Sequence, residues 1–200
     1  MYLLSTFWQK IIQWDHDLFT KVNSDWNNPV FDVMMPFLRN SIVWIPLYLF
    51  ILLFVLINFK AKAWWWIVFF LVTVALTDIT GTNIFKHVFD RIRPCNNPEF
   101  QPHLRLLVGC PGGYSFTSNH AANHFGMAAF LFITFRHLFK NWMLLFFLWA
   151  GSIGYAQVYV GVHYPSDIAG GMLLGIIFGT LTGLLYNKYF GFQLQEVSDQ

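Results

Sequence analysis

A histidine and an aspartate lie four residues apart where one apolar helix is predicted to end and the next to begin. A carboxylate that accepts a hydrogen bond from one imidazole nitrogen fixes the tautomer and leaves the other nitrogen free to attack. His163 and Asp167 are therefore a candidate nucleophile and the residue that orients it. An aspartate at such a position is more often a helix cap, so the pair gains meaning only from other segments that point to it.

Two further segments carry groups that suit a phosphate. Lys86 and Arg93 are separated by one or two helical turns, and cations at that spacing can hold one oxyanion. Ser118, Asn119 and His120 open an apolar helix, whose free N–H groups and positive dipole end favour an anion. Two histidines, two cations and a helix N-terminus together predict phosphoryl transfer through a phosphohistidine.

The composition determines where these groups must lie. Of the 200 residues, 56% are hydrophobic and only 11% are charged, against about 25% charged in a soluble domain. Apolar runs of 18 or more residues recur, which is typical of membrane spans. The net charge of +2 is too small to indicate a nucleic-acid partner. The chain is predicted to be one membrane-embedded domain over residues 1–200.

The hydropathy pattern predicts an all-α, polytopic membrane helix bundle with about five spans. They are placed at 41–59, 64–89, 119–139, 142–162 and 166–189, so that the bundle covers residues 41–189. Residues 1–40 mix apolar and charged side chains and predict one or two amphipathic helices lying in the membrane interface. Pro29 is expected to open the second of these, with Asn27 or Asn28 as its cap.

One predicted span carries a stripe of polar residues, and another carries a stripe of glycines. Asp78, Thr82 and Lys86 follow one another at four-residue spacing and predict a polar face directed into the bundle, although for Asp78 alone we favour a hydrogen bond between helices. The last span has four glycines at the same spacing, which predicts close approach of another helix. These are Gly171, Gly175, Gly179 and Gly183. Asp167 precedes them by one turn and should lie on the same face.

Alternating spans place all the candidate groups at one end of the bundle. The short turns at the other end carry most of the Lys and Arg residues, which is typical of the cytoplasmic side. The loop 90–118 is therefore expected to face outward with the site, and the tail 190–200 to lie in the cytoplasm. Cys95 and Cys110 lie in the outward loop, where we favour a disulfide over two free thiols.

The three segments together resemble the type 2 phosphatidic acid phosphatase superfamily. The pattern Lys-x6-Arg-Pro, a Ser-x-His element and a final His-x3-Asp is similar to that of its small bacterial integral-membrane lipid phosphate phosphatases. The resemblance covers roughly residues 78–185 and leaves residues 1–40 uncovered. It implies that His163 is the nucleophile, Asp167 its partner and His120 the acid for the leaving oxygen, while Lys86, Arg93 and the Ser118 region hold the phosphate.

The sequence departs from this family at two positions. Asn119 stands where the family usually has Gly, which keeps the backbone N–H, and Gln157 stands where it usually has Arg. The second change removes one positive charge from the expected phosphate shell, although an amide can still donate hydrogen bonds. Either Arg91 or Arg105 from the loop could supply the missing charge, or the substrate could need less of it.

The resemblance implies a hydrolase that removes a phosphate from a membrane lipid at the outer face of the cell membrane. Undecaprenyl diphosphate, phosphatidylglycerophosphate, phosphatidate and lipid A phosphates all remain open as substrates, and so does the preference for a mono- or a diphosphate. The alternative is a catalytically weakened or non-catalytic lipid-phosphate-binding protein, in which Gln157 in place of Arg would indicate the loss of catalytic activity. We expect no cofactor and no metal, because no Asp, Glu or Cys cluster accompanies the site. The oligomeric state stays open.

Overall fold

A computed structural model describes residues 2–192, with side chains from residue 7 onward. The described part is helical and contains no strand. The helices are α1 (Tyr2–Thr20), α2 (Pro29–Arg39), α3 (Ile45–Phe59), α4 (Ala61–Ile79), α5 (Lys86–Phe89), α6 (Asn119–Phe139), α7 (Leu145–Tyr159) and α8 (Pro165–Phe190). Most of the predicted tail, residues 193–200, lies outside the described residues.

Four helical stretches are long and apolar enough to cross a membrane. They are Ser41–Phe59, Ala61–Phe89, Asn119–Tyr159 and Pro165–Phe190. The third has 41 residues, or about 60 Å if it were straight, which is twice the thickness of the hydrocarbon layer. It reverses at the short turn Lys140–Leu144, so α6 and α7 lie side by side as two passes. The predicted count of about five spans therefore agrees with the fold.

Helices α6 and α8 pack with their backbones in contact, along the predicted glycine stripe. A Cβ added at Gly175 would lie 2.3 Å from the carbonyl oxygen of Ala122, and one at Gly179 would lie 2.2 Å from that of Gly126. No side chain larger than hydrogen fits at such distances, as in the small-residue faces of other membrane helices. The prediction of a close helix contact is confirmed, and the contact fixes the start of α6 against the start of α8.

The N-terminal helices are joined to the end of the bundle that carries the candidate residues. Asn28 caps α2 by accepting a hydrogen bond from the N–H of Phe31, as one of the two predicted caps. Phe19 of α1 packs edge-on against Phe100 of the loop 90–118, with ring centres 4.9 Å apart. The loop itself is closed by the predicted Cys95–Cys110 disulfide. Helix α1 and the loop therefore pack together at this end of the bundle.

The span that contains α4 changes its geometry before it reaches the site. Residues Thr80–Phe85 form a π-helical segment between α4 and α5, and such segments often occur at functional sites. Lys86 follows this segment directly and still lies close enough to Asp78 for the two charges to interact. Asp78 accepts hydrogen bonds from Asn119 and Asn123, at 2.8 and 3.4 Å. The favoured interpretation of Asp78 as a link between helices is confirmed.

Candidate active site

The turn between α7 and α8 holds the candidate nucleophile against its carboxylate. His163 is 4% exposed and Asp167 is completely buried, and the His163 Nδ1 lies 3.3 Å from the Asp167 Oδ2. The same Oδ2 accepts a hydrogen bond of 2.8 Å from the N–H of Tyr164, so Asp167 is also the helix cap considered above. Burial lowers the pKa of His163 below its ordinary 6.5, although the hydrogen bond to Asp167 acts in the opposite direction. A neutral imidazole with Nδ1 occupied presents the lone pair of Nε2.

Asp167 is fixed by two further groups from the loop. Ser115 donates to its Oδ2, and Arg91 donates to its Oδ1 at 2.8 Å. Arg91 also pairs with Asp15 of α1 and lies over the ring of Tyr164, 3.9 Å from its centre. An unbroken chain of ionic hydrogen bonds therefore runs from the first helix to the partner of the candidate nucleophile.

The nucleophilic nitrogen faces a buried guanidinium. The Nη1 of Arg93 lies 2.9 Å from the Nε2 of His163, and Arg93 is 4% exposed. Its orientation is set by the carbonyl oxygens of Val162 and Gly113, which accept its hydrogen bonds at 3.1 and 3.2 Å. Burial lowers the pKa of Arg93, but an arginine remains protonated at any physiological pH. The predicted cation therefore lies within hydrogen-bonding distance of Nε2, close enough to contact an oxyanion bound beside that nitrogen.

The other predicted cation and the second histidine approach the same point. Lys86 begins α5 and is half-buried, and its charge acts on both His163 and Arg93. His120 lies in the first turn of α6 and interacts electrostatically with His163 and Arg93. The structure therefore brings together both histidines and both cations that the motifs identify.

The start of α6 contributes backbone groups, whereas the side chain of Asn119 points elsewhere. Ser118 caps α6, is completely buried, and its N–H donates to the carbonyl oxygen of Asp167 at 3.1 Å. The Asn119 amide donates to Asp78 at 2.8 Å and to Thr82 at 2.6 Å, so it ties α6 to α4. The Ser118 Oγ accepts a hydrogen bond from the N–H of Ala121, so the N–H groups of Asn119 and His120 remain for an anion, as is usual at a helix N-terminus.

Gln157, the position that departs from the family pattern, is bound by an arginine that the sequence did not identify. The Nε of Arg39, the last residue of α2, donates to the Gln157 Oε1 at 3.2 Å. Neither loop arginine reaches this position. Arg91 is held by two carboxylates, and Arg105 is paired with Asp32 at 2.6 Å. The suggestion that one of these two replaces the missing charge is therefore wrong, because their own partners already neutralise them.

Comparison with known proteins agrees with this geometry. The sequence pattern of the PAP2 superfamily matches residues 63–190. The chain belongs to the PAP2 superfamily. The resemblance predicted from the motifs is thereby confirmed, and so is the helical membrane fold. The matched range starts after α1, α2 and Arg39, so the family pattern itself does not describe these N-terminal residues.

Two relatives and two solved structures illustrate what the chain is similar to. The chain is 33% identical to the lipid A 4'-phosphatase of Bacteroides thetaiotaomicron over 81% of this chain and 72% of that protein. It is 28% identical to the lipid A 4'-phosphatase of Porphyromonas gingivalis, over 88% and 74%. The crystal structure of Aquifex aeolicus LpxE superposes with a TM-score of 0.62 and 28% identity, covering 86% of this chain and 94% of that one. The transmembrane PAP2-type phosphatidylglycerolphosphate phosphatase of Bacillus subtilis has a TM-score of 0.66 over 92% and 90%, but its 22% identity supports the fold alone.

Proposed function

We propose that this protein hydrolyses a phosphate group on a membrane lipid through a phosphohistidine. The observation that carries the proposal is the arrangement of His163, whose Nδ1 faces Asp167 and whose Nε2 faces Arg93. The buried carboxylate orients the nucleophile, and the cation beside Nε2 can bind the oxygens of a phosphate, so this arrangement suits attack on phosphorus. The relatives named as lipid phosphatases support the same reaction.

The residues divide the reaction between them. The Nε2 of His163 forms a bond to phosphorus while the bond from phosphorus to the ester oxygen breaks, and His120 gives its proton to that oxygen. Lys86 and Arg93 stabilise the charge on the equatorial oxygens, together with the N–H groups that begin α6. Asp167 stabilises the positive imidazole ring of the intermediate. Water, deprotonated by His120, then attacks phosphorus and releases inorganic phosphate with a neutral His163.

Among the possible lipids, a phosphate monoester of the lipid A type is the substrate we propose. Both relatives named as lipid A 4'-phosphatases align along at least 72% of their own length, which supports a shared substrate class. A panel of lipid A, phosphatidylglycerophosphate, phosphatidate and undecaprenyl diphosphate, compared by kcat/KM on detergent-solubilised protein, tests the proposal. Lipid A should be preferred. Preference for another lipid would refute the substrate, and release of phosphate from none of them would refute the function.

We further propose that the site faces the outside of the cell membrane and that α1 and α2 lie in its interface. Lysines and arginines in the short turns opposite the site support this orientation, because such residues concentrate on the cytoplasmic side. They are Lys60, Lys62, Arg136, Lys140 and Lys188. An alkaline-phosphatase reporter fused after residue 200 should be inactive, while an active reporter would reverse the orientation.

A further inference from the structure

Gln157 has a buried side-chain amide in which only one of the two polar atoms has a hydrogen-bond partner. Its side chain is completely buried, and its Oε1 accepts the bond from Arg39. Its Nε2 has no partner among the residues that the structure describes. A buried amide N–H without an acceptor costs about 1–3 kcal/mol of folding free energy, so such a group usually faces a ligand or water.

Arg39 is a half-buried cation that has no carboxylate partner among the side chains of residues 7–192. None of the ion pairs between side chains of residues 7–192 includes it, whereas Arg91 and Arg105 each hold a carboxylate. Its charge instead acts on His120 and Arg93, which are groups of the proposed reaction. A partly buried positive charge that has no carboxylate of its own and lies near another cation is unfavourable unless an anion joins it.

We infer that Arg39, held in place by Gln157, is the third cation of the phosphate-binding site. The inference rests on the proposed function, since the anion is the phosphate of the lipid or the inorganic phosphate released. The Nε of Arg39 is engaged by Gln157, so the Nη1 and Nη2 atoms remain for two phosphate oxygens, in the forked geometry that suits arginine. The Gln157 Nε2 donates one further hydrogen bond to the same group.

The position of Arg39 explains how the departure from the family pattern is tolerated. In this chain the positive charge moves from α7 to the end of α2, and the residue left on α7 becomes the support of the new cation. The two positions are 118 residues apart in the sequence but joined by one hydrogen bond. Gln157 therefore no longer argues for a protein without catalytic activity.

A set of variants tests this exchange of charge. Arg39→Ala should weaken the binding of orthovanadate by about ten- to a hundredfold, as measured by thermal stabilisation in detergent. It should lower kcat/KM on the lipid phosphate by about the same factor. Arg39→Lys should retain part of both. The double variant Arg39→Ala/Gln157→Arg should recover at least tenfold, because it returns the guanidinium to α7. Arg136→Ala, an exposed guanidinium at the other end of α6, serves as the control and should change neither quantity.

The outcomes separate the possible explanations. Unchanged vanadate affinity in Arg39→Ala overturns the inference, and so does a failure of the double variant to regain affinity, because Arg39 would then only tie α2 to α7. If Arg39→Ala does not fold, the neutral but longer Arg39→Gln decides: vanadate affinity equal to that of the native protein would overturn the inference. Vanadate binding that depends on Arg39 in a protein that releases no phosphate from any lipid would refute the proposed function and leave the cation site standing.

Discussion

Asp167→Asn tests the electrostatic role of the carboxylate without changing its shape. In the structure, one carboxylate oxygen accepts hydrogen bonds from Ser115, the N–H of Tyr164 and His163, and the other accepts one from Arg91. An asparagine must direct its NH2 group at one of these two sets of donors. Turning it toward Arg91 sacrifices one hydrogen bond instead of three. The variant should therefore keep the tautomer of His163 and lose the charge.

The size of the effect follows from the bonds affected. Loss of the charge-assisted bond from Arg91 costs about 1.5–3 kcal/mol, and the bond from His163 falls from a charged to a neutral acceptor, about 1 kcal/mol more. The positive ring of the phosphohistidine loses its counter-charge at the same time. If about 3 kcal/mol of this loss appears in the transition state, kcat falls roughly a hundredfold.

The pH profile provides a second measurement. His163 must be neutral to attack, so activity is lost as pH falls through its pKa. Asp167 raises that pKa against the effect of burial, and removing its charge should lower the pKa further. The acid limb of kcat/KM should then move to lower pH while the plateau falls. The exposed Asp17→Asn is the control and should leave both unchanged. A plateau like that of the native protein, or an acid limb at higher pH, would refute the reasoning.

Three other results are expected. His163→Ala should abolish turnover and the acid-trapped phosphoenzyme, and substantial turnover by this variant would contradict its assignment as nucleophile. His120→Ala should still form phosphoenzyme from p-nitrophenyl phosphate, because that leaving group needs no proton. Activity should survive EDTA, since no group of three His, Cys, Asp or Glu side chains in the described part of the chain is arranged to hold a metal ion, and a loss restored only by divalent cations would disprove the mechanism. Gly179→Ala should lower Tm by several degrees, because its Cβ would lie 2.2 Å from a backbone oxygen of α6. Gly151→Ala is the control and should leave Tm unchanged, because open space surrounds Gly151. Equal Tm values for the two variants would disprove the close packing.

Features encoded by local spacing could be predicted from the sequence. The glycines of α8 recur every four residues, and that period alone indicates a face that another helix can approach. Arg93, His120 and His163 lie beside helix ends of alternating spans, so the direction of the chain brings them to one end of the bundle. Long apolar runs set the number of spans in the same way.

Contacts made by residues far apart in the chain could not be predicted. Asp15 and Arg39 belong to N-terminal helices whose only signal was amphipathic character, and nothing in their spacing shows which part of the bundle they meet. Arg91 was considered for the phosphate because it lies near the motifs, yet two carboxylates from other segments hold it. Ser115 lies just before the predicted start of α6, and only the packing of this segment on α8 makes its hydroxyl a donor to Asp167.

The chain of ionic bonds from Asp15 through Arg91 to Asp167 has a consequence for biosynthesis. Asp15 belongs to α1 and Asp167 to α8, so the set can be completed only after α8 has been synthesised. A protein inserted span by span is therefore expected to stay inactive until α8 has packed against α1 and the loop, and the appearance of activity would report that these segments have met.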